Sequence, residues 1–298
     1  MKLACYRTDG RGATVIGVVD EIAGTVQRIA TDGPVDEVGV LAAIDADLRL
    51  GDAVPLDRVT LLAPVPRPRR NVFCIGKNYR EHVAEFAGSG YDTSASTEVP
   101  EHPIVFTKPP SAVIGPDAEI DPHVALTAEL DYEGELAVII GTGGRRIDRS
   151  DAMAHVWGYT IVNDVTARDL QQRHRQWFLG KGLDTSCPMG PWAVTVDELD
   201  LARVELRTTV NGERRQAGRV SDLIFDIPAL IETISAGITL EPGDLIATGT
   251  PAGVGIGFTP PRFLQPGDVI SITVSGIGTL TNRVGSGPND RPPGAPPS

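Results

Sequence analysis

Cysteine is scarce in this sequence, and long apolar runs are missing from it. Only three cysteines occur, Cys5, Cys74 and Cys187, and no two of them form a CxxC pair. This odd, widely spaced set argues against a disulfide framework and a zinc–thiolate site, so reduced and buried thiols are expected. No stretch approaches the roughly 18 consecutive apolar residues of a membrane span, and MKLACYRTDG at the start lacks the apolar core of a signal peptide. The sequence therefore predicts a soluble, cytoplasmic protein with no membrane partner.

Patterns for binding nucleotides and nucleic acids are also absent. No GxGxxG follows a predicted strand, and the glycine-rich run GTPAGVGIG lacks the lysine and the helix of a P-loop. Acidic residues outnumber basic ones by 39 to 27, which gives a formal net charge of -12. A diffusely acidic surface repels anionic polymers, so nucleic acid is not expected as a partner.

Length and local composition predict a large domain preceded by a small one. Residues 1–65 have short apolar runs punctuated by glycine, which indicates a small β-rich N-terminal domain. The Pro- and Arg-rich segment APVPRPRR marks its boundary with a catalytic domain at 66–284. The Gly- and Pro-rich segment 285–298 predicts a disordered tail. Strand patterns predominate, so we expect a mainly β (α+β) fold.

Two glutamates in DYEGELAVII give the first indication of a metal site. Glu133 and Glu135 would share one face of a strand, because side chains two apart point the same way. Neighbouring carboxylates repel in a half-buried site unless a cation lies between them. All-oxygen ligands favour Mg²⁺, Mn²⁺ or Ca²⁺. An exposed polar strand face is the commoner source of such a pair, so the pair alone does not decide.

A third carboxylate, Asp164, ends the predicted strand YTIVND and precedes the predicted helix TARDLQQRHRQWF. If this helix begins near Asp164, Arg168 and Gln171 follow at four and seven residues and lie along one face. An acid, a cation and an amide on one stripe suit recognition of an anionic substrate beside a metal. A helix cap followed by a surface ion pair would give the same spacing, and both interpretations stay open.

A histidine–glutamate pair provides a candidate base. His82 and Glu85 stand at i and i+3 on the predicted helix NYREHVAEF, for which Asn78 is the expected cap. Glu85 would orient the imidazole and raise its basicity, giving a dyad that activates water, although an ordinary surface pair is commoner. Residues 88–103, rich in Gly, Ser and Pro, predict a mobile loop, so that 78–103 would close as a lid.

Two lysines stand in unusual local sequence. Lys108 lies between VFT and two prolines, and Lys181 lies between Gly180 and Gly182. Each suits binding of a carboxylate or a developing enolate, and each is equally compatible with an exposed surface charge.

These residues fall within motifs that resemble the fumarylacetoacetate hydrolase family. The likeness runs from about Asn71 to about Gly278 and rests on five motifs in the order of the family. GKNYREHVAEF resembles the lid helix with its His-x-x-Glu dyad, and DYEGELAVIIG resembles the metal-binding Glu-x-Glu strand. GYTIVNDVTARDLQ resembles the segment with the third metal carboxylate. KGLDTSCPMGPW and LIATGTPAGVG resemble the active-site lysine and threonine loops.

The resemblance implies a role for each candidate residue. Three carboxylates would bind one Mg²⁺ or Mn²⁺ per subunit, with Ca²⁺ as a further candidate: Glu133, Glu135 and Asp164. The catalytic residues would be His82, Glu85 and Lys181. The substrate-binding residues would be Lys108, Arg168, Gln171 and Thr250. The resemblance also implies a mixed β-sandwich roll in the larger C-terminal region and a homodimer.

The implied substrate is a small 2-oxo acid. The expected main reaction is hydrolytic C–C cleavage of an acylpyruvate-like 1,3-diketo acid, with His82 activating water and Lys181 stabilising the enolate. One alternative is isomerisation of a 2-hydroxymuconate-type (2-oxohept-3-ene-1,7-dioate) acid or decarboxylation of oxaloacetate, neither of which needs water attack. The other is a catalytically silent binding protein with the same fold. The short region before residue 66 resembles the shorter bacterial-type members.

Overall fold

The computed structural model describes residues 1–8, 12–30, 35, 39–43, 49–90 and 99–287. Within them the strands are β1 (Lys2–Arg7), β2 (Val15–Asp20), β3 (Thr25–Ile29), β4 (Leu50–Pro55), β5 (Thr60–Leu62), β6 (Val72–Gly76), β7 (Ile104–Lys108), β8 (Val113–Ile114), β9 (Glu119–Ile120), β10 (Leu130–Asp131), β11 (Gly134–Ile140), β12 (Val156–Asn163), β13 (Thr166–Ala167), β14 (Cys187–Thr195), β15 (Glu205–Val210), β16 (Glu213–Arg219), β17 (Leu245–Ala247), β18 (Val269–Val274) and β19 (Gly278–Val284). The α-helices are α1 (Arg80–Gly88), α2 (Arg168–His174), α3 (Phe178–Lys181) and α4 (Ile227–Ser235). Short 3-10 helices lie at Gly39–Ala43, Leu56–Arg58, Pro110–Ala112, Ala152–His155, Val196–Glu198, Leu201–Arg203, Val220–Asp222 and Gly255–Gly257.

A large mixed sheet forms the centre of the molecule. Its strand order is β4-β3-β2-β1-β14-β12-β11-β17-β6-β7, with β5 beside β1 and β8 beside β14. The pairing of β1 with β14, through Lys2 with Val194 and Leu3 with Ala193, joins the N-terminal strands to this sheet. The domain boundary at residue 65 stays a prediction. The predominance of strands over four short α-helices confirms the expected mainly β (α+β) class.

The central strand β11 is apolar along its whole length because it is covered on both faces. Leu136, Val138 and Ile140 pack into one hydrophobic cluster, which also contains residues of the second sheet, β16-β15-β18-β19-β9. Ala137 and Ile139 pack into another cluster on the opposite face. A strand buried on both faces reads as a continuous apolar run, so polar residues beside β11 lie in the interior.

Two parallel strands bring distant parts of the chain to the same edge. β6 pairs with β17 in parallel, with Phe73 opposite Ile246 and Cys74 opposite Ala247. Parallel strands end at the same side of a sheet. The end of β6 therefore leads into α1 close to the segment that follows β17 and contains Thr250.

The predicted helix boundaries need correction at two places. Asn78 does not cap α1: Tyr79 holds the N-cap position, and the Asn78 side chain bonds to the backbone of Phe225 and Thr248 instead. The helix predicted over 166–178 is two helices. Its first two residues are held extended by the pairing of β13 with β10, so α2 begins at Arg168 and not near Asp164. At Arg175 the backbone adopts φ 59°, which ends α2 before α3 begins.

Some predictions fall outside the described residues. These are residues 91–98 of the predicted mobile loop and residues 288–298 of the predicted tail. In the described part of the chain, no helix combines the length and the apolar character needed to cross a bilayer.

Candidate active site

Three buried carboxylates lie together at one end of the β11–β12 pair. Gly134 is opposite Asn163 and Glu135 is opposite Val162, so the residues just before β11 lie beside those just after β12. Two hydrogen bonds hold them there: the Asp164 N–H donates to the Glu133 carbonyl at 2.8 Å, and the Glu133 N–H donates to Asn163 Oδ1 at 3.0 Å. One carboxylate oxygen from each acid lies within 4.8 Å of the others. The three acids of this cluster are Glu133, Glu135 and Asp164.

The two glutamates differ in their electrostatic surroundings. Burial alone would raise the pKa of Glu133, but Lys181 and Arg168 beside it outweigh burial and lower that pKa. Glu135 is also buried, and its neighbours Asp164 and Glu133 are anions, so its pKa is raised well above the ordinary value. The Gly249 N–H donates to Glu135 Oε2 at 2.8 Å. Glu135 is therefore the carboxylate of the cluster that most needs an added cation.

Two lysines neutralise the other acids of the cluster. Lys181 Nζ lies 2.8 Å from Glu133 Oε2 and 2.7 Å from Asp164 Oδ2, so one ammonium bridges two carboxylates. Burial would lower the pKa of Lys181, but Asp164 and Glu133 raise it above its ordinary value and keep the side chain charged. Lys108 Nζ lies 2.7 Å from Asp164 Oδ1 and donates to the Val165 carbonyl at 2.9 Å. Lys108, predicted to bind substrate, thus lies behind Asp164 and outside the cavity described below.

Replacing Lys181 with methionine is expected to destabilise the metal-free protein by about 3–5 kcal/mol. The change leaves Glu133 and Asp164 buried with one cation fewer, and an uncompensated buried charge costs about this much. Urea unfolding in EDTA measures the effect. Arg203→Met is the control, because both partners of the Arg203–Asp200 pair are exposed and such pairs contribute about 0–1 kcal/mol. A Lys181→Met loss no larger than the control would contradict the bridging role.

An arginine at the start of α2 extends the charged network. Arg168 Nε donates to Asp131 Oδ2 at 2.8 Å, and its Nη1 lies 2.7 Å from Glu133 Oε1 and 3.2 Å from Gln171 Oε1. Arg168 Nη2 is buried and has no hydrogen-bond acceptor in the part of the chain that the structure describes. A buried donor without an acceptor is costly. Nη2 is therefore available to an oxygen of a bound ligand.

Asp131 is a site residue that the sequence patterns missed. Besides binding Arg168, its carboxylate accepts hydrogen bonds from the Gly255 N–H at 2.6 Å and the Ile256 N–H at 3.2 Å. It thus joins α2 to the segment after β17. Its position two residues before Glu133 in an alternating Asp-x-Glu-x-Glu run is the sequence signal that could have identified it.

Thr250 lies at the cavity with its hydroxyl already engaged. Its Oγ1 donates to the Gly134 carbonyl at 2.9 Å and accepts from Gln216 Nε2 at 2.7 Å. These two bonds fix the segment after β17 against the start of β11. Thr250 therefore positions this segment as well as facing the cavity.

The His82–Glu85 pair forms on α1 with the predicted spacing. His82 Nδ1 lies 3.3 Å from Glu85 Oε2, and the Gly253 N–H donates to Glu85 Oε1 at 2.9 Å. Glycine at position 257 leaves room for this arrangement, because a Cβ there would collide with the Glu85 carboxylate. One carboxylate thus orients the imidazole and ties α1 to the segment after β17.

A small cavity joins these groups. The predicted site residues that line it are His82, Glu133, Arg168, Gln171, Lys181 and Thr250. The other four predicted site residues do not line it: Glu85, Glu135, Asp164 and Lys108. Glu85 contacts the lining residue His82, and both Asp164 and Lys108 contact Lys181. Lys77, Phe106 and Trp177 also line the cavity and were not predicted.

Comparison with known proteins places this site in a family. Residues 71–285 match the family described as fumarylacetoacetate (FAA) hydrolase C-terminal. The chain belongs to the fumarylacetoacetate hydrolase family. The match covers all ten predicted site residues, and the sequence resemblance is therefore confirmed at the level of the family. The chain is an enzyme of that family.

Individual relatives carry different reactions in their names. The oxaloacetate tautomerase YisK of Bacillus subtilis is 56% identical over 231 residues, which are 77% of this chain and 74% of that protein. The solved fumarylacetoacetate hydrolase of psychrophilic Exiguobacterium antarcticum is 44% identical with a TM-score of 0.80, covering 96% of this chain and 99% of that one. The maleylpyruvate hydrolase of Sphingobium sp. SYK-6, solved with manganese(II) and pyruvate, is 30% identical with a TM-score of 0.73, covering 97% and 100%.

The acid cluster fits a hard divalent cation. Its donors are carboxylate oxygens, the ligands that Mg²⁺ and Mn²⁺ prefer. Glu135 has no cationic partner within ion-pair distance among the residues that the structure describes, and a cation beside it would lower its raised pKa. Lys181, bridging Glu133 and Asp164, already shows that positive charge is stabilised at this point. The three acids can therefore hold a divalent ion.

Proposed function

We propose that this enzyme interconverts the keto and enol forms of a small 2-oxo dicarboxylic acid, with oxaloacetate as the first candidate. The observation that carries the proposal is the 56% identity with an oxaloacetate tautomerase. The cavity supports it, because a candidate base, His82, and a charged ammonium, Lys181, line it together. C–C hydrolysis, expected as the main reaction from the sequence, has less support than this alternative, in which no water attacks carbon.

Enolisation requires a base near the C3 hydrogen and positive charge near the 2-oxo oxygen. His82 would accept the C3 proton, and the C3–H electron pair would become the C2–C3 double bond. Glu85 would hold the imidazole in place through Nδ1, leaving Nε2 as the accepting atom. The 2-oxo oxygen would take a proton from water, and the hydroxide so formed would take the proton held by His82.

Positive charge for the developing oxyanion would come from two sources. Lys181 stays protonated because its pKa is raised, so it acts through charge and hydrogen bonding. A divalent ion held by Glu133, Glu135 and Asp164 would supply Lewis-acid polarisation of the 2-oxo group when bound. Arg168 Nη2 would bind a substrate carboxylate oxygen with its unused N–H.

The test is to follow enol loss from oxaloacetate by ultraviolet absorbance, with Mg²⁺, Mn²⁺ or EDTA. We expect metal-dependent acceleration over buffer, without release of pyruvate. Release of pyruvate and CO₂ would identify a decarboxylase instead. Formation of acetate and pyruvate from acetylpyruvate, with no acceleration on oxaloacetate, would favour the hydrolase that the two solved relatives carry in their names.

A further inference from the structure

A buried glutamine lies between the metal-binding strand and the segment that follows β17. Gln216 belongs to β16 of the second sheet and is fully buried. Its Oε1 accepts a hydrogen bond from the Gly134 N–H at 3.0 Å, and its Nε2 donates to Thr250 Oγ1 at 2.7 Å and to the Pro251 carbonyl at 2.8 Å. Neither the sequence motifs nor the proposed function gives this residue a role.

The partners of the amide determine which way it faces. Gly134 offers an N–H group, which needs an acceptor, and Pro251 offers a carbonyl, which needs a donor. Exchanging the oxygen and the nitrogen of Gln216 would break both bonds. Because a buried polar group without a partner is costly, the amide is held in a single orientation.

The first connection of this amide is to the metal-binding strand. Gly134 lies between Glu133 and Glu135, two acids of the cluster. The backbone is tightly packed there, because a Cβ at Gly134 would collide with Thr208 Oγ1 and lie 3.3 Å from Gln216 Oε1. The amide therefore fixes the stretch of backbone from which both glutamates extend. Groups that orient metal ligands from behind contribute to the affinity of a metal site.

The second connection is to the candidate base. The bond to the Pro251 carbonyl fixes the segment that leads to Gly253, whose N–H donates to Glu85 Oε1 at 2.9 Å. Gly253 packs directly on β16, since a Cβ there would collide with the backbone of that strand. Glu85 in turn faces His82. Gln216 is thus joined to the base through this segment, as it is joined to the acids through the start of β11.

We propose that Gln216 is a positioning residue that holds the metal-binding glutamates and the His82–Glu85 pair at a fixed distance from one another. Its effect on metal affinity rests on the acid cluster alone, and its effect on turnover rests on the proposed function. Enolisation uses a base and a positive charge on the same substrate, so their relative placement affects the rate. Gln216 does not line the cavity, and it acts through its bonds to Gly134 and Pro251.

The experiment removes the amide and keeps the length of the side chain. Gln216→Met is titrated with Mn²⁺ alone, and free Mn²⁺ is measured by electron paramagnetic resonance. We expect the Kd for Mn²⁺ to rise roughly 10- to 100-fold, the usual effect of losing a group that supports a metal ligand. At saturating Mn²⁺, kcat for enol loss from oxaloacetate should fall by roughly 10- to 100-fold as well, because added metal does not restore the placement of the base.

The matched control is Asn282→Leu, which removes another buried amide of the second sheet. Asn282 Nδ2 donates to the carbonyls of Gly115 and Ala118, each at 2.9 Å, and the residue does not line the cavity. Its loss should lower the melting temperature but leave the Kd for Mn²⁺ and kcat within about twofold. If Gln216→Met lowers the melting temperature and its Kd for Mn²⁺ stays within twofold of the wild-type value, Gln216 only stabilises the fold and the proposal is overturned.

A second variant and the metal titration keep the outcomes apart. Gln216→Asn retains the amide but is one methylene too short to span the same gap, so the same rise in the Kd for Mn²⁺ is expected. This variant decides by the same criterion if Gln216→Met does not fold. If the wild-type protein binds Mn²⁺ but does not accelerate enol loss, the tautomerase proposal fails and the Kd values still decide on Gln216. A wild-type protein that does not bind Mn²⁺ overturns the role of Gln216.

Discussion

Replacing Glu135 with glutamine is expected to raise the melting temperature of the metal-free protein and to abolish its stabilisation by Mn²⁺ or Mg²⁺. Without metal, the Glu135 carboxylate is buried between the anions Asp164 and Glu133, which raises its pKa, and a neutral amide removes that repulsion. With metal near 100 times its Kd, the wild-type protein should gain about 5–10 °C. Differential scanning fluorimetry with EDTA and with added metal measures both effects.

The pH dependence of this stability follows from the direction of the shift. Because the pKa of Glu135 is higher in the folded metal-free protein than in the unfolded chain, the folded state binds more protons between the two values. Its contribution is fully present below the unfolded pKa of about 4.3 and is lost as the pH rises through the folded pKa. The Glu135→Gln variant should lack this decrease.

The matched control for Glu135→Gln is Glu232→Gln. Glu232 is an exposed residue of α4, so the same chemical change there should alter neither the metal-free melting temperature nor the response to metal. If Mn²⁺ stabilises Glu135→Gln as strongly as the wild-type protein, Glu135 does not bind the ion.

Replacing His82 with alanine is expected to lower kcat on oxaloacetate by roughly 10²- to 10⁴-fold, the usual contribution of a general base. His82 lines the cavity and its Nδ1 faces Glu85, whereas the acid cluster does not depend on it for a hydrogen bond. The metal-dependent rise in melting temperature should therefore persist. Stopped-flow measurement of enol loss, together with fluorimetry of the same sample, separates loss of the base from loss of the ion.

The control for His82→Ala is His155→Ala. His155 precedes β12 at the end of the β11–β12 pair opposite to the acids, and its ring bonds to the Thr142 carbonyl. Its loss should leave kcat within about twofold, because the residue is remote from the reacting atoms. A His82→Ala enzyme with the wild-type kcat would assign the base to another residue.

The acid cluster was accessible to sequence reasoning because its signals are local. Glu133 and Glu135 follow the alternation of a strand, and Asp164 ends an apolar strand. Pairing of those two strands then brings the three acids together. The sheet-rich fold class could be predicted for the same reason, because the alternation of apolar and polar residues that indicates a strand is visible within a few residues.

Features that depend on distant contacts could not be predicted. Asn78 is of a residue type that is common at helix N-caps, but its amide donates to the carbonyls of Phe225 and Thr248, which are 147 and 170 positions away in the sequence. Those bonds fix the turn at Lys77. Arg168 donates a hydrogen bond to Asp131, which lies 37 positions away in the sequence. The pairing of β1 with β14 joins residues almost two hundred positions apart in the same way. No local pattern encodes which distant backbone group a side chain will meet.

The two bonds of the Glu85 carboxylate make the orientation of the candidate base His82 depend on the position of α1. One oxygen faces His82, and the other accepts the Gly253 N–H from the segment that also carries Thr250. If α1 moved away to admit a substrate, the second bond would break and the imidazole would lose its fixed support. We therefore expect proton abstraction by His82 to be fastest while α1 keeps the position in which Glu85 is bonded to Gly253.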